Sequence, residues 1–280
     1  MLNQASDDRR QASGFRRQDS GKTRLDELIV QRGLVESRAR AQAHIIAGNV
    51  LVNDVAVTKN GAQVSVDAII RFKKEPTDYV GRGALKLEGA LKTFSVEIAD
   101  RVLLDIGQST GGFTEVLLRH NAKSVIGIDV GYGQVHSSLK NNAQAWCIER
   151  CNARELTREF LENWAQKQKP LRDASLLSQI SGFVMDVSFI SVAKILPALK
   201  NLLLPNAWGL ILIKPQFEAG PQDVEKGGLV VKPGVVERVL LTVCDQIADQ
   251  GWLLRAMAKA AIKGADGNQE FVLWVEKRDL

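Results

Sequence analysis

Leu103-Leu104-Asp105-Ile106-Gly107-Gln108-Ser109-Thr110-Gly111-Gly112-Phe113-Thr114 is the stretch on which the fold turns. An apolar strand runs into a glycine-rich bend, and a helical pattern, GGFTEVLLRH, leaves it. Glycines let a backbone take positive φ and come close to a ligand, and the first amides of the following helix favour polar or anionic groups. The dinucleotide fingerprint G-x-G-x-x-G is not met, because Gln108 follows Gly107 and no second glycine comes at the required place. Two acids carry more weight. Asp105 near the strand end suits a cationic amine, and Asp129, at the tip of the next apolar run SVIGIDV, suits ribose hydroxyls. S-adenosylmethionine has both groups. The expected cofactor-binding residues are Asp105, Gly107, Ser109, Thr110, Gly111, Gly112 and Phe113, with Asp129 and Val130 from the second strand tip.

Downstream, apolar runs alternate with helical ones. RELTREFLENW reads as a helix, GFVMDVSF as a strand with Asp186 at its end, and SVAKILPALKNLLL as a helix bent at Pro197. WGLILIK is a strand closing on Lys214, residues 234–250 are a helix, and GWLLRAMAKA and EFVLWVE are closing β runs. Residues 163–181 are polar and read as a loop. Strand–helix alternation implies an α/β, Rossmann-like domain: a mostly parallel sheet, expected to hold seven strands, with helices on both faces. Asp186 and Lys214 then fall at the sheet edge where open α/β folds bind ligands.

Upstream, the rhythm is different. Leu25, Leu28, Ile29 and Arg32 recur at helical spacing up to Gly33. Ser37 is a candidate N-cap for a second helix ending at Gly48. VLVNDVAV reads as a tight hairpin around Asn53-Asp54, and IIRF as a further strand. The expected organisation is a flexible basic tail (1–21), a small α+β domain (22–73), a linker rich in Pro and Gly (74–82) and the α/β domain (83–280).

The chain has 280 residues, 45% of them hydrophobic and 25% charged, as in ordinary globular proteins. Net charge is +5, and Arg9, Arg10, Arg16, Arg17, Lys22, Arg24, Arg32, Arg38 and Arg40 crowd the N-terminal segment, as expected for a polyanionic partner. Three cysteines, with no C-x-x-C pair, argue against a disulfide framework and against a zinc site, so no metal is expected. No apolar run reaches membrane-span length and no secretory signal is evident, which points to a cytoplasmic protein with reduced thiols and no membrane partner.

The segment KTRLDELIVQRGLVESRARAQAHIIAGNVLVNDVAV resembles the RNA-binding module of ribosomal protein S-four, through Arg24-Leu25-Asp26, Gly33-Leu34, Ser37-Arg38, Ile46, Gly48-Asn49-Val50 and Val52-Asn53. The resemblance implies RNA contacts by Arg24, Arg32, Arg38 and Arg40. The remainder resembles the haemolysin-type (TlyA) rRNA methyltransferases, themselves similar to the FtsJ-class ribose methyltransferases. The motifs are Gly83-Ala84-Leu85-Lys86-Leu87, the loop Asp105 to Thr114, Asp129 to Gln134, Asp186 to Ser191, Lys214-Pro215-Gln216-Phe217-Glu218 and Gly267 to Phe271. That implies ribosomal RNA or a ribosomal subunit as partner, a cytidine 2′-hydroxyl as target, and a catalytic set of Lys86, Asp186, Lys214 and Glu270. Lys214 would act as base or steering cation, Asp186 and Glu270 would hold the lysines, and Lys86 would orient the ribose.

Three departures concern the match: Gln108 stands where the family has a small residue, Val231-Lys232 where it has Arg-Asp, and Glu237 where many members have His. Phe217 is a candidate to stack on a flipped nucleotide, and the stretch Asp223 to Lys232 a candidate mobile substrate loop. An RNA-binding ribosome-assembly factor of weak or lost activity is the alternative. A membrane-lysing toxin is disfavoured by the lack of a signal, a span or a lytic helix.

Overall fold

A computed structural model describes residues 21–35, 37–73, 78–168 and 173–278. The tail at 1–20 and part of the linker, 74–77, lie outside the described residues. The chain divides into two compact units, residues 1–78 and 79–280.

The first unit comprises β1 (Lys22–Arg24), α1 (Leu25–Gln31), α2 (Arg38–Ile46), β2 (Val50–Val52), β3 (Val55–Ala56), β4 (Gln63–Ser65) and β5 (Ile70–Phe72). Ser37 caps α2, its side chain accepting from the Arg40 amide at 3.3 Å. Asn53 and Asp54 both have positive φ, as a two-residue hairpin with the right-handed twist requires. Strands β3-β2-β5 form one antiparallel sheet, and β1 pairs with β4 in a second, which the sequence pattern does not announce. The apolar faces of α1 and α2, with Leu25, Ile29, Ala41 and Ile45 fully buried, close over Val50 and Val64.

The second unit runs α3 (Ala84–Thr93), β6 (Val102–Ile106), α4 (Gly112–Arg119), β7 (Ser124–Ile128), α5 (Ser137–Lys140), β8 (Ala145–Ile148), α6 (Arg158–Lys167), β9 (Ile180–Met185), α7 (Leu196–Lys200), β10 (Trp208–Ile213), α8 (Pro215–Glu218), α9 (Val235–Asp249), β11 (Trp252–Lys259) and β12 (Phe271–Lys277). Seven strands form one sheet in the order β11-β12-β10-β9-β6-β7-β8. All neighbours from β10 to β8 are parallel, and β12 is antiparallel to both β10 and β11. The strands are short, apolar and buried on both faces, as helix-covered parallel strands are. Along β6, Val102, Leu104 and Ile106 join the core on one face, and Leu103 joins the core under α3 and α4 on the other.

Three sequence expectations change here. The seventh strand, β8, is only Ala145 to Ile148, too short for its pattern to be read; Trp146 anchors it by stacking on Trp164 at 5.6 Å. Pro197 does not bend a long helix. It sits in the first turn of α7, where its missing N–H has no intrahelical acceptor anyway, and a separate 3₁₀ turn, Val192–Lys194, precedes it. The polar stretch 163–181 is not all loop: α6 continues to Lys167, and a 3₁₀ turn, Ala174–Gln179, leads into β9.

Chain order reverses between β6 and β9, one half of the sheet winding toward β8 and the other toward β10. The crevice above that switch point is where such sheets bind ligands.

Candidate active site

At the switch point lies a cleft of about 530 Å³, within the size range of small-molecule sites. Gly107 and Ser109 form its wall at the end of β6, and Ile128, Asp129 and Val130 at the end of β7. Gly107 has φ +85°, and a Cβ there would run into the Asp186 carbonyl, so only glycine allows β6 and β9 to approach this closely. Asp129 organises the wall: Oδ2 accepts from the Ser109 amide at 2.7 Å and Oδ1 from the Gly131 amide at 2.6 Å. Both oxygens keep acceptor capacity toward the cleft.

The expected loop residues divide into two groups. Gly107, Ser109, Asp129 and Val130 line the cleft; Thr110, Gly111, Gly112 and Phe113 do not, and pack the loop against α3, α5 and the core. Asp105 is displaced from its expected role. Strand alternation puts it on the same face as Leu103, beneath α4, where it is fully buried and accepts a hydrogen bond from Thr114 Oγ1 at 2.6 Å. Burial, with Asp186 and Asp129 nearby, pushes its carboxyl up to about 7. It braces the loop from below and is not part of the cleft lining. Gln108 lies beside it, donating to Thr114 Oγ1 at 2.9 Å and to the Trp146 carbonyl at 3.3 Å. That pose leaves the cleft open. It exists because Gly127 on β7 offers no side chain, a Cβ there colliding with the Gln108 amide.

Part of the cleft escapes the sequence reading, whereas Val187 to Ile190 belong to the Asp186 to Ser191 motif. Cys151, Asn152, Ala153 and Arg154 wall the far end, and they follow β8, the strand the pattern hides. Val187, Ser188, Phe189 and Ile190 close the near end. Phe189 is 90% exposed with φ +65°, and its ring lies 4.8 Å from that of Phe217.

The four residues of the implied catalytic set come together at the same rim as two ion pairs. Lys214 Nζ is 2.6 Å from Asp186 Oδ1 and donates to Ser188 Oγ at 2.9 Å. Lys86 Nζ is 2.5 Å from Glu270 Oε2. The pairs feel each other: burial raises the Glu270 carboxyl, the nearby Asp186 adds to this, and Lys86 and Lys214 pull it back. The fold explains the gathering. Asp186 and Lys214 each follow the last residue of a parallel strand, β9 and β10. Glu270 immediately precedes β12, which runs the other way and so starts where its neighbours end. Lys86 is in the first turn of α3, which follows Gly83, where an added Cβ would come into contact with the Asp186 carboxylate.

The three histidines lie elsewhere. His44 faces Asn49 and Phe72, His120 faces Glu88, and His136 caps α5. The Asp223 to Lys232 stretch is tied down at several points. Asp223 pairs with Arg238 at 2.5 Å, and the Asn268 amide bridges the Gly228 carbonyl and the Val230 N–H at 2.7 and 3.0 Å. Lys232 donates to the Gln222 carbonyl, and Glu237 is exposed in the first turn of α9.

In the first unit, the four arginines expected to meet RNA all have partners within the unit. Arg24 grips the buried Asp26 with two nitrogens, at 3.0 and 2.9 Å, and Arg38 and Gln42 reach the same carboxylate at 2.9 and 2.7 Å. These contacts, led by Arg24, hold the Asp26 carboxyl far below the usual range. Arg40 pairs with Asp78 at 3.2 Å. Arg32 is bound to backbone, donating to the carbonyls of Ala68 and Val66.

Against known proteins, the FtsJ-like methyltransferase model matches residues 79–277 and the S4 domain model residues 23–70. The chain is 38% identical to the 16S/23S rRNA (cytidine-2′-O)-methyltransferase TlyA of Mycobacterium tuberculosis, across 91% of this chain and 90% of that one. It is 37% identical to hemolysin A of Brachyspira hyodysenteriae, across 89% and 98%. Among solved structures, a candidate hemolysin from Streptococcus thermophilus superposes with a TM-score of 0.68 at 34% identity, covering 93% of this chain and 90% of that one.

Proposed function

Because the chain belongs to the FtsJ-like methyltransferase family and carries an S4 domain ahead of that fold, we propose that it methylates a ribose 2′-hydroxyl of ribosomal RNA, at a cytidine. The observation that carries this reading is the pair of buried ion pairs, Lys214–Asp186 and Lys86–Glu270, set side by side at the rim of the cleft.

The cleft fits S-adenosylmethionine. Asp129 presents two carboxylate oxygens for the ribose diol, and Ile128, Val130, Cys151 and Ala153 offer an apolar wall for a flat purine. With Asp105 withdrawn, Asp186 is the other carboxylate on the cleft surface. When bound, this group supplies an electrophilic methyl on a sulfonium centre.

The protein's own work is alignment and proton handling. A 2′-hydroxyl is a poor acid, so its attack needs a group that removes the proton or stabilises the oxygen as it is lost. Lys214 Nζ is anchored by Asp186 and Ser188 at the cleft edge, which supports that role. Lys86, held by Glu270, orients the sugar and offsets negative charge on the same oxygen. The exposed Phe189 ring, backed by Phe217, offers a stacking face for a base taken out of its helix. Lys214→Ala is expected to abolish transfer of labelled methyl to separated ribosomal subunits while S-adenosylmethionine still binds by calorimetry. Unimpaired transfer would remove Lys214 from the chemistry. A wild-type chain that binds S-adenosylmethionine but labels neither subunit would favour an assembly factor of lost activity.

A further inference from the structure

A second cavity, of about 710 Å³, lies on the other side of Phe189 and Phe217 from the cofactor cleft. Phe189 and Ile190 border both cavities, so the two adjoin along that short segment. The opposite side is α9, which contributes Thr242, Gln246 and Asp249, with Gln250 just after it, and Lys194 and Glu218 complete the lining. We propose that this cavity holds the nucleobase next in the chain to the methylated nucleotide, an inference that rests on the rRNA reading above.

The chemistry of the lining favours a base over a phosphate. Two carboxylates, Glu218 and Asp249, face a single cation, Lys194, which is a poor setting for an anion. The Glu218 carboxylate accepts from the Val192 amide at 2.8 Å, and burial raises its carboxyl, with Val192, Ser191 and Lys194 opposing. Hydrogen-bonding capacity remains for a ligand. Gln250 donates through Nε2 to the Ala193 carbonyl at 2.9 Å, and its Oε1 is buried without a hydrogen-bond partner among the described residues. Gln246 is exposed on α9, its amide unpaired among the described residues. An unpaired amide, a buried acceptor and an exposed carboxylate match the edge of a base that carries an exocyclic amino group, and they match uracil less well. Proteins that hold single-stranded nucleic acid commonly set successive bases against aromatic side chains. Here one nucleotide reaching Phe189 from the cofactor side would place its neighbour at the second cavity.

The test is methyl transfer by the full chain to separated, unmethylated ribosomal subunits, comparing wild type with Gln246→Ala and Asp249→Asn. Both side chains are on the exposed side of α9 and outside the cofactor cleft. Loss of one hydrogen bond to the base should raise KM for the subunit about three- to tenfold in Gln246→Ala, and replacing a charged acceptor by the neutral amide oxygen should raise it about two- to threefold in Asp249→Asn. The kcat at saturating subunit and the affinity for S-adenosylmethionine should stay at wild-type values. An unchanged KM for Gln246→Ala overturns the proposal. So does a lower KM for Asp249→Asn, the result expected if a phosphate occupied the cavity. Wild-type methylation with unaffected variants removes this subsite alone; absence of wild-type methylation removes the rRNA reading and the subsite with it.

Discussion

Phe189 is unusual in being bulky, almost fully exposed and in the left-handed region of φ. A non-glycine residue there carries strain of about 1 kcal/mol or more, which the surroundings must hold in place. The Glu218 carboxylate, gripping Val192 three residues later, supplies part of that restraint. Phe189→Gly therefore removes strain while adding backbone freedom to the unfolded chain, two opposing effects of about 1 kcal/mol each. Melting temperature is expected to change little. Methyl transfer at limiting RNA is expected to fall about tenfold, since stacking on an aromatic face is worth about 1–3 kcal/mol per base. A parallel loss of stability and activity would show instead that the ring is structural. Asp105 teaches the opposite lesson. Its position near the end of a strand is legible in the sequence, and the alternation that buries Leu103 under α4 turns its side chain the same way. Its carboxyl keeps its proton to about 7 in the folded chain, against an ordinary value of 3.8. The folded state thus binds more protons than the unfolded state between those values, and stability falls as pH rises from about 4 to about 7. Asp105→Asn should flatten this slope in denaturant melts taken from pH 4 to 8, a contribution of up to about 4 kcal/mol. An unaltered slope would place the titration elsewhere.

Elements with strong periodicity were legible: α1, α2, α4 and α9, and the buried strands β6, β7, β9 and β10. Those missed were short or depended on partners far along the chain. Nothing local in Lys22–Arg24 announces its pairing with Gln63–Ser65. Nothing local in Ala145–Ile148 announces a strand that delivers four residues to the cofactor cleft. The four residues proposed for catalysis are legible as motifs, and their convergence follows from strand direction, above all the reversal of β12 that returns Glu270 to the shared rim. In the first unit the same distinction separates Arg32 from Arg24, Arg38 and Arg40, with which the sequence groups it. Arg32 joins the end of α1 to the carbonyls of Val66 and Ala68, just after β4. Arg32→Ala should lower the stability of that unit by about 1–3 kcal/mol, because two carbonyls lose a charged donor. Affinity for RNA, measured where the unit remains folded, should stay close to wild type.

For the whole chain, the question is how a catalytic cleft with little net positive charge finds a polyanion. The charged groups around it are largely neutralised in pairs, Lys86 with Glu270 and Lys214 with Asp186. Attraction to RNA must therefore come mainly from cations elsewhere, and the first unit has them. Arg24 and Arg38 share the buried Asp26 carboxylate, yet their side chains stay 36% and 50% exposed. Two guanidinium groups fixed by one buried acid lose little freedom on meeting a phosphate, which is the advantage of preorganisation. Each phosphate neutralised by such a group releases condensed counterions and steepens the salt dependence of binding. Arg38→Ala is accordingly expected to reduce the slope of log affinity against log salt for ribosomal subunits by about one. S-adenosylmethionine binding and kcat at saturating subunit should not change, because the residue belongs to the other unit. A slope identical to wild type would mean that Arg38 serves only to hold Asp26 and Glu27, and that the charge guiding the chain to RNA lies on other residues.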